Sequence, residues 1–328
     1  MYTDSKILVT GHNGLVGSAV VRELRAQGYT NLITLSRSQV NLEDPGAVKW
    51  AFSVHEPEHV FHCAAYVGGI RANIDHPVDF FRRNIAIQNN VLLNAAAYNV
   101  KKLVFLGSSC IYPRDCPQPI KEDSLLTGPL EKSNEAYAIA KISGVKLCQW
   151  LRQERDCNFV SVMPCNLYGP NDNFDPRNAH IIPGLISRMH SAKEAGAAVF
   201  DVWGRPDTLR EYLYSEDLAR ALIVVMNYYD SPDPINTGSG FEMSVDELAR
   251  TIAGVIGYYG QLRFDASIPA GTPRKLLDNQ KLINLGWSPK IGFWHSLNLT
   301  YEWYLHARQN GLLRPSHPSG VDFRRDSD

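Results

Sequence analysis

Short apolar runs rich in β-branched residues alternate with longer amphipathic stretches through the first half of the chain. The runs lie at residues 6–10, 31–36, 59–65, 102–109 and 159–166, and the stretches between them at 14–28, 77–99 and 134–154. Strands separated by helix-length segments can pair in parallel only if the helices cover the sheet. The alternation therefore predicts an α/β fold of the Rossmann type, with a doubly wound parallel sheet.

The rhythm changes after residue 165, where Pro- and Asn-rich loops precede a predicted helix at 181–195. We assign residues 1–165 to the sheet domain, to which the chain is expected to return at about 208–238. A smaller, mixed C-terminal substrate-binding lobe is expected from 166–207 and 239–311. The last residues, 312–328, are polar and are expected to form a loose tail.

Composition narrows the class of function. The 328 residues carry 33 basic and 34 acidic side chains, a formal net charge of -1, which argues against nucleic acid or a membrane surface as the main partner. No apolar run reaches the roughly 18 residues of a membrane span, and no signal peptide begins the sequence, so a cytoplasmic location is expected. Six scattered cysteines without C-x-x-C spacing predict neither disulfides nor a metal site.

A glycine-rich turn follows the first predicted strand and opens the first predicted helix. Its spacing is G-x-x-G-x-x-G, a variant of the dinucleotide-binding pattern. Glycines there permit a tight turn and the close approach of a pyrophosphate to the backbone N–H groups of the helix N-terminus. A purely structural turn is the alternative. The residues expected to bind the cofactor are Gly11, Asn13, Gly14, Leu15, Val16 and Gly17.

The end of the second predicted strand indicates which dinucleotide is used. An NAD enzyme usually places a carboxylate there for the ribose 2′-hydroxyl, but this sequence has Ser36-Arg37-Ser38. A guanidinium suits a 2′-phosphate, so Arg37 favours NADPH over NADH. The alternative is that Arg37 is only a solvated surface charge.

Tyr137 and Lys141 lie four residues apart on a predicted helix, so their side chains share one face. An ammonium beside a phenol can hold a proton donor near a nicotinamide. Alone, this spacing more often marks a half-buried Tyr beside a solvated Lys. Together with the glycine turn and Ser108 at the end of the fourth strand, the sequence resembles the extended short-chain dehydrogenases/reductases.

Further motifs narrow this resemblance, over roughly residues 5–310, to the GDP-L-fucose synthase family. They are Val67-Gly68-Gly69-Ile70, G-S-S-C-I-Y-P from Gly107 to Pro113, the Asn134 to Lys141 segment, N-L-Y-G-P from Asn166, and G-T-P-R-K from Gly271. The resemblance implies an NADPH-dependent 3,5-epimerase/4-reductase acting on GDP-4-keto-6-deoxy-D-mannose. It assigns the epimerisation acid–base pair to Cys110 and His180, and C4 reduction to Ser108, Tyr137 and Lys141.

The same resemblance implies the binding residues. Besides Arg37, the cofactor is expected to contact Asn41, Leu42, Leu106, Gly107, Lys141, Pro164, Asn166, Leu167 and His180. The GDP-sugar substrate is expected to contact Arg188, Trp203, Arg210, Lys275 and Asp278. The chain departs from the family at Asn13, where many relatives have Arg, and at Cys165, where Thr is usual.

Several alternatives remain open from sequence. The same chemistry could act on another GDP-4-keto sugar, such as a dideoxy sugar or a heptose. A retaining, NAD-dependent 4-epimerase or dehydratase and a non-catalytic NADP-sensing module are more distant alternatives, the last disfavoured by the presence of Tyr137 and Lys141. The apolar circumference of helices 77–99 and 134–154 predicts that they pair with a second copy in a homodimer.

Overall fold

The computed structural model describes residues 1–267 and 271–313. Within them the strands alternate with helices in the first half, as predicted. The strands are β1 (Ile7–Thr10), β2 (Leu32–Ile33), β3 (His59–His62), β4 (Lys102–Leu106), β5 (Phe159–Pro164), β6 (Asn166–Tyr168), β7 (Val199–Trp203), β8 (Leu209–Tyr214), β9 (Ile235–Thr237), β10 (Glu242–Ser244), β11 (Gln261–Asp265) and β12 (Arg274–Lys275).

The helices cover the sheet in two groups. In chain order they are α1 (Leu15–Ala26), α2 (Pro45–His55), α3 (Ile70–Asp75), α4 (Pro77–Ala97), α5 (Glu135–Arg155), α6 (Ile181–Glu194), α7 (Ser215–Tyr228), α8 (Val245–Ile256), α9 (Gln280–Asn284) and α10 (Phe293–Gln309). Helix α1 packs against α7, and α4 packs against both α2 and α5.

The main sheet has six strands in the order β2-β1-β3-β4-β5-β9, all parallel. This arrangement confirms the predicted α/β class and the doubly wound Rossmann-type sheet. The chain leaves β1 for β2 on one side and then crosses to β3 on the other, so the strand order reverses at β1. Ligands of such sheets bind at the carboxyl ends of the strands beside this reversal.

Strand β2 is shorter than the predicted 31–36. It lies at the sheet edge and pairs only through two residues, Leu32 and Ile33. From Ser36 the backbone turns instead, because the amide of Val40 donates to the Ser36 carbonyl at 2.9 Å and the Ser36 amide donates to the Gln39 side chain at 2.8 Å. The turn carries Arg37 away from the sheet.

A second lobe is built around two small sheets. Strand β8 pairs with β10, β12 and β6, while β7 pairs with β11. Of the segment 208–238, where the chain was expected to return to the main sheet, only α7 and β9 do so, since β8 pairs within the second lobe. The core of this lobe contains buried aromatic side chains, among them Tyr168, Phe174 and Phe200.

Most of the predicted tail, from residue 314 onward, lies outside the described residues. In the described ranges, no helix is long and apolar enough to cross a membrane. The same ranges contain no group of three or more His, Cys, Asp or Glu side chains placed to hold a metal ion.

Candidate active site

The turn between β1 and α1 has the geometry of a dinucleotide cradle. Gly11 adopts a φ of +69°, and a Cβ built on Gly17 would lie 2.3 Å from the Gly11 carbonyl oxygen. The amide of Gly14, which precedes α1, donates to the same oxygen at 2.8 Å, and no side chain caps the helix. The free amides of the first turn can therefore bind a pyrophosphate, and the residues present fit the cofactor.

The loop after β2 carries the predicted cofactor residues Arg37, Asn41 and Leu42. The Arg37 side chain is largely exposed, with its Nη2 3.4 Å from Oε1 of Glu43. That carboxylate also binds Arg83 of α4, whose Nη2 lies 2.7 Å from Oε1. The sequence reasoning missed this ion pair, which connects the loop to α4 and leaves the Arg37 guanidinium accessible to a 2′-phosphate.

Two further contacts fix the same region. The Arg83 guanidinium lies 4.2 Å from the centroid of the Tyr66 ring, as in a cation–π contact. The side chain of Asn90 donates to the Leu42 carbonyl at 2.9 Å. Both contacts come from α4, so this helix holds the loop that was predicted to select the cofactor.

Ser108, Tyr137 and Lys141 are brought together where β4 meets α5. The Ser108 side chain interacts with the Tyr137 hydroxyl, and burial raises the pKa of that phenol above its usual value. Lys141 is buried, which lowers the pKa of its ammonium to about 8, and its Nζ donates to the Leu106 carbonyl at 2.8 Å. Tyr137 is therefore protonated at neutral pH and can act as a proton donor.

Close packing positions this face of α5. A Cβ on Gly144 would lie 2.4 Å from Cζ of Phe105 on β4, so only glycine permits this separation. The buried amide of Gln88 on α4 donates to the Ala140 carbonyl at 2.7 Å and to the Ser143 hydroxyl at 2.9 Å. A glycine in the interior of a helix indicates close packing, so Gly144 could have been found from the sequence. Nothing in the sequence indicated the role of Gln88.

Cys110 lies in a short 3₁₀ turn, Ser109–Ile111, directly after Ser108. The Ser108 hydroxyl accepts from the Cys110 amide at 3.2 Å. The thiol sulfur accepts from Nδ2 of Asn134 at 3.1 Å and faces Nζ of Lys275 at 3.9 Å. Cys110 interacts electrostatically with Tyr137, so it lies beside the Ser108–Tyr137 pair, and the residue is partly exposed.

His180 immediately precedes α6. Its side chain is accessible to solvent but surrounded by protein, as in a cleft wall, and this desolvation lowers its pKa below the usual value. The Gly69 amide donates to the Asn178 carbonyl at 3.0 Å, and a Cβ on Gly69 would lie 2.7 Å from the Ala179 carbonyl oxygen. The predicted Val67–Ile70 motif thus holds the segment that presents His180.

The predicted substrate residues fall into two groups. Arg188 of α6 lies 3.8 Å from the centroid of the Trp203 ring, and its burial lowers the guanidinium pKa to about 10. Arg210 and Lys275 are register partners on β8 and β12, and both face Cys110. The Asp278 carboxylate accepts the Gln280 amide at 2.9 Å and so is engaged locally at the start of α9.

The remaining predicted cofactor residues lie at strand ends. Leu106 ends β4 and Gly107 follows it, where a Cβ would lie 2.3 Å from the Met163 methyl carbon. Pro164 ends β5. Asn166 and Leu167 belong to β6, where the Asn166 amide donates to the Glu211 carbonyl at 2.9 Å. All five positions lie at the carboxyl edge of the sheet or directly after it.

Comparison with known proteins agrees with this geometry. Residues 7–238 match the NAD dependent epimerase/dehydratase family. GDP-L-fucose synthase 1 of Arabidopsis thaliana is 49% identical over 301 residues, covering 92% of this chain and 93% of its own length.

Two solved structures share the fold. A GDP-L-fucose synthetase from Naegleria fowleri bound to NADP is 32% identical, with a TM-score of 0.86 over 94% of this chain and 96% of its own. A GDP-6-OMe-4-keto-L-xylo-heptose reductase from C. jejuni is 32% identical, with a TM-score of 0.87 over 93% of this chain and 99% of its own. The chain therefore belongs to the NAD dependent epimerase/dehydratase family, and within it to the GDP-L-fucose synthase branch.

Proposed function

We propose that this protein converts GDP-4-keto-6-deoxy-D-mannose to GDP-L-fucose by 3,5-epimerisation followed by NADPH-dependent 4-reduction. One observation carries the proposal. The Ser108 hydroxyl contacts both the Tyr137 hydroxyl and the Cys110 amide, so a proton donor for a C4 oxygen and a thiol base lie in one continuous site. Epimerisation and reduction of one keto sugar need these groups side by side.

Epimerisation depends on the acidity that the C4 ketone gives to the C3 and C5 protons. The Cys110 thiolate removes one of these protons, and the electron pair passes to the C4 oxygen as an enolate. His180 returns a proton to the opposite face of the ring carbon, which inverts that centre. The solvent-accessible position of His180 allows its proton to be replenished.

Reduction uses a second set of groups. NADPH, when bound, supplies a hydride to C4. Tyr137 donates its phenolic proton to the C4 oxygen, and the Ser108 hydroxyl hydrogen-bonds the same oxygen. The Lys141 ammonium, 5.9 Å from the centroid of the Tyr137 ring, stabilises the phenolate that remains.

Binding follows from the charges that surround the site. The amides of the Gly11–Gly17 turn would hold the cofactor pyrophosphate, and Arg37 its 2′-phosphate. Arg210 would neutralise the GDP diphosphate, and Arg188 with Trp203 would bind the guanosine end. Asp278 is the weakest of the proposed substrate contacts, because its carboxylate already binds the Gln280 amide.

A single incubation tests the function. Purified protein, NADPH and GDP-4-keto-6-deoxy-D-mannose in D₂O should consume one NADPH per sugar and give GDP-L-fucose, with deuterium at C3 and C5 by NMR. Boiled protein serves as the control. Reduction without deuterium at C3 and C5 would make the protein a simple 4-reductase, and absence of NADPH consumption would refute the proposal.

A second candidate is the same chemistry on a GDP-4-keto-heptose. It is favoured by the similarity to the heptose reductase structure, whose identity to this chain equals that of the GDP-L-fucose synthetase structure at 32%. Parallel incubations with the two keto sugars at equal concentration distinguish the candidates. A higher kcat/KM for the heptose would replace the first proposal, and a retaining NAD enzyme would consume no reductant with either sugar.

We further propose a homodimer formed through α4 and α5. Their surfaces expose apolar side chains, including Phe81, Leu93, Ile139 and Trp150. Light scattering of the protein should give twice the mass of the chain. A cytoplasmic location remains a prediction from the sequence.

A further inference from the structure

The thiol of Cys110 is held between two elements that are distant in sequence. Asn134, directly before α5, donates an amide N–H to its sulfur at 3.1 Å. Lys275, on β12 of the second lobe, places its ammonium 3.9 Å from the same atom. Neither contact is local, because the two residues are 24 and 165 positions from Cys110.

We propose that Asn134 and Lys275 stabilise the thiolate of Cys110, and that Lys275 serves the base of the epimerisation rather than the GDP moiety. The inference rests on the proposed function for its place in the reaction. In physical terms, the Lys275 ammonium of the second lobe and the Asn134 amide of the first both stabilise negative charge on the Cys110 sulfur.

The direction of the Lys275 side chain supports this role. Side chains alternate along a strand, so neighbouring residues point to opposite faces. Arg274 pairs with Glu242 on β10, with Nη2 2.6 Å from Oε1. Lys275 therefore points to the other face of β12, toward Cys110.

Other charged groups also face the thiol. Arg210, the register partner of Lys275, interacts electrostatically with Cys110 from β8. Tyr137 faces it from α5. Both are predicted to contact the sugar nucleotide, whereas Lys275 and Asn134 contact the sulfur itself. A thiolate that accepts from both groups can take a proton from carbon, and the thiol then formed is the weaker acceptor, so the donors favour the charged form.

The test measures alkylation of Cys110 by iodoacetamide, quantified peptide by peptide with mass spectrometry, and needs no sugar substrate. At pH 7 Lys275→Met should slow Cys110 alkylation about tenfold and Asn134→Ala about threefold. Lys275→Arg should stay within about threefold of the wild type. The difference in Cys110 alkylation rate between the wild type and Lys275→Met should disappear as the pH approaches about 10, where thiols ionise without a neighbouring cation. A merely structural change would slow alkylation equally at every pH.

Two controls accompany the measurement. Arg274→Met removes a cation from the opposite face of the same strand and should leave the Cys110 rate unchanged. Cys157 is partly exposed, and the charges that act on it are Arg155 and Asp156, so it reports in every variant whether the fold is intact. Cys116 cannot serve, because Lys275 also acts on it. Equal Cys110 rates in the wild type and Lys275→Met at pH 7, with Cys157 unchanged, would overturn the inference.

The result is separable from the proposed function. If Lys275→Met slows alkylation and also abolishes deuterium entry at C3 and C5, the role of Lys275 in the reaction is supported. If alkylation changes as expected while the wild type makes no GDP-L-fucose, the thiolate assignment stands and the proposed function fails.

Discussion

The nucleotide-binding lobe and the second lobe differ in how regularly strands that follow one another in the sequence also lie side by side in a sheet. In the first, β1 and β2, and then β3, β4 and β5, are neighbours both in sequence and in the sheet. In the second, β7 pairs with β11 and β6 with β8, across intervening helices or loops. Period and turn patterns report local structure only, so they predicted the first lobe in detail and the second in outline.

The two cores also differ in chemistry. The main sheet buries many β-branched and aliphatic side chains, such as Ile7, Val60 and Val162. The second lobe buries polar aromatics that need partners, as shown by the Tyr168 hydroxyl, which hydrogen-bonds the Ser296 hydroxyl at 2.6 Å. The proposed reaction draws Ser108, Tyr137 and Lys141 from the first lobe but Lys275 from the second. The proposed reduction therefore uses side chains of the first lobe alone, whereas the proposed epimerisation also uses a side chain of the second.

The largest expected effect separates the two half-reactions. Tyr137→Phe should reduce NADPH oxidation about 10³-fold, because the proton donor is lost, and should leave deuterium entry at C3 and C5. Cys110→Ser should block that entry and retain some direct reduction at C4. Stopped assays that follow absorbance and NMR in parallel measure both. Equal loss of both activities in both variants would contradict the separation.

The tight cradle of the first lobe gives the next effect. Gly17→Ala places a Cβ 2.3 Å from the Gly11 carbonyl oxygen, so the turn must shift. We expect a loss of about 3 kcal/mol in the free energy of unfolding and weakened NADPH binding. Gly292→Ala is the matched control, because no atom lies within 4 Å of its Cβ and its φ is -61°. Urea denaturation that found the two variants equally stable would refute the cradle.

A buried carboxylate at the boundary of the lobes predicts a pH effect. Glu211 of β8 accepts the Gly240 amide at 2.7 Å and the Leu277 amide at 3.0 Å. Burial raises its pKa from 4.5 to about 7, so the folded protein holds this proton more tightly than the unfolded chain. Its contribution to stability is full below pH 4.5 and is lost as the pH rises through about 7.

Replacement of the Glu211 carboxyl by an amide should remove its contribution to the pH dependence of the unfolding free energy. Between pH 4.5 and pH 8 the difference in unfolding free energy, wild type minus Glu211→Gln, should fall by about 3 kcal/mol, measured by urea denaturation. Glu154→Gln, at an exposed position of α5, is the control and should show a flat difference. A flat difference for Glu211→Gln as well would show that the boundary carboxyl does not titrate with folding.

Cofactor choice is expected to depend on the loop after β2. Arg37→Asp should lower kcat/KM for NADPH about 30-fold and raise it for NADH, since a carboxylate repels a 2′-phosphate and accepts from a ribose hydroxyl. Arg25→Asp, at the last turn of α1, provides a charge-matched control. Unchanged kinetics with both cofactors would remove Arg37 from this role.

The smallest effect tests how the first lobe positions a residue of the second. Gly69→Ala brings a Cβ within 2.7 Å of the Ala179 carbonyl and should displace His180. Deuterium exchange at C3 and C5 should fall about tenfold. Gly184→Ala, whose Cβ would meet the Ala179 side chain at an ordinary 3.6 Å, should retain exchange. A similar result for both variants would disconnect Gly69 from His180.

Local sequence patterns predicted only those site residues that act through the backbone of a turn, lie at a strand end or share one helix. The glycine turn, the Tyr137–Lys141 pair and the strand-end Ser108 were predicted, because each is defined by a few consecutive positions. The Arg83–Glu43 pair, Gln88 and Asn134 were not, since each acts on a partner at least 24 residues away. Their residue types occur throughout the surface of any protein and indicate nothing alone.

By itself the sequence determined the parallel sheet, the cradle at its carboxyl edge and the chemical groups present. Hydrophobic period and glycine placement act over a few residues, and they suffice for those features. Only the tertiary structure decided which groups meet. It brought Lys275 to the sulfur of Cys110 and the Gly69 backbone to the segment before His180, because contacts between distant segments depend on how both lobes pack.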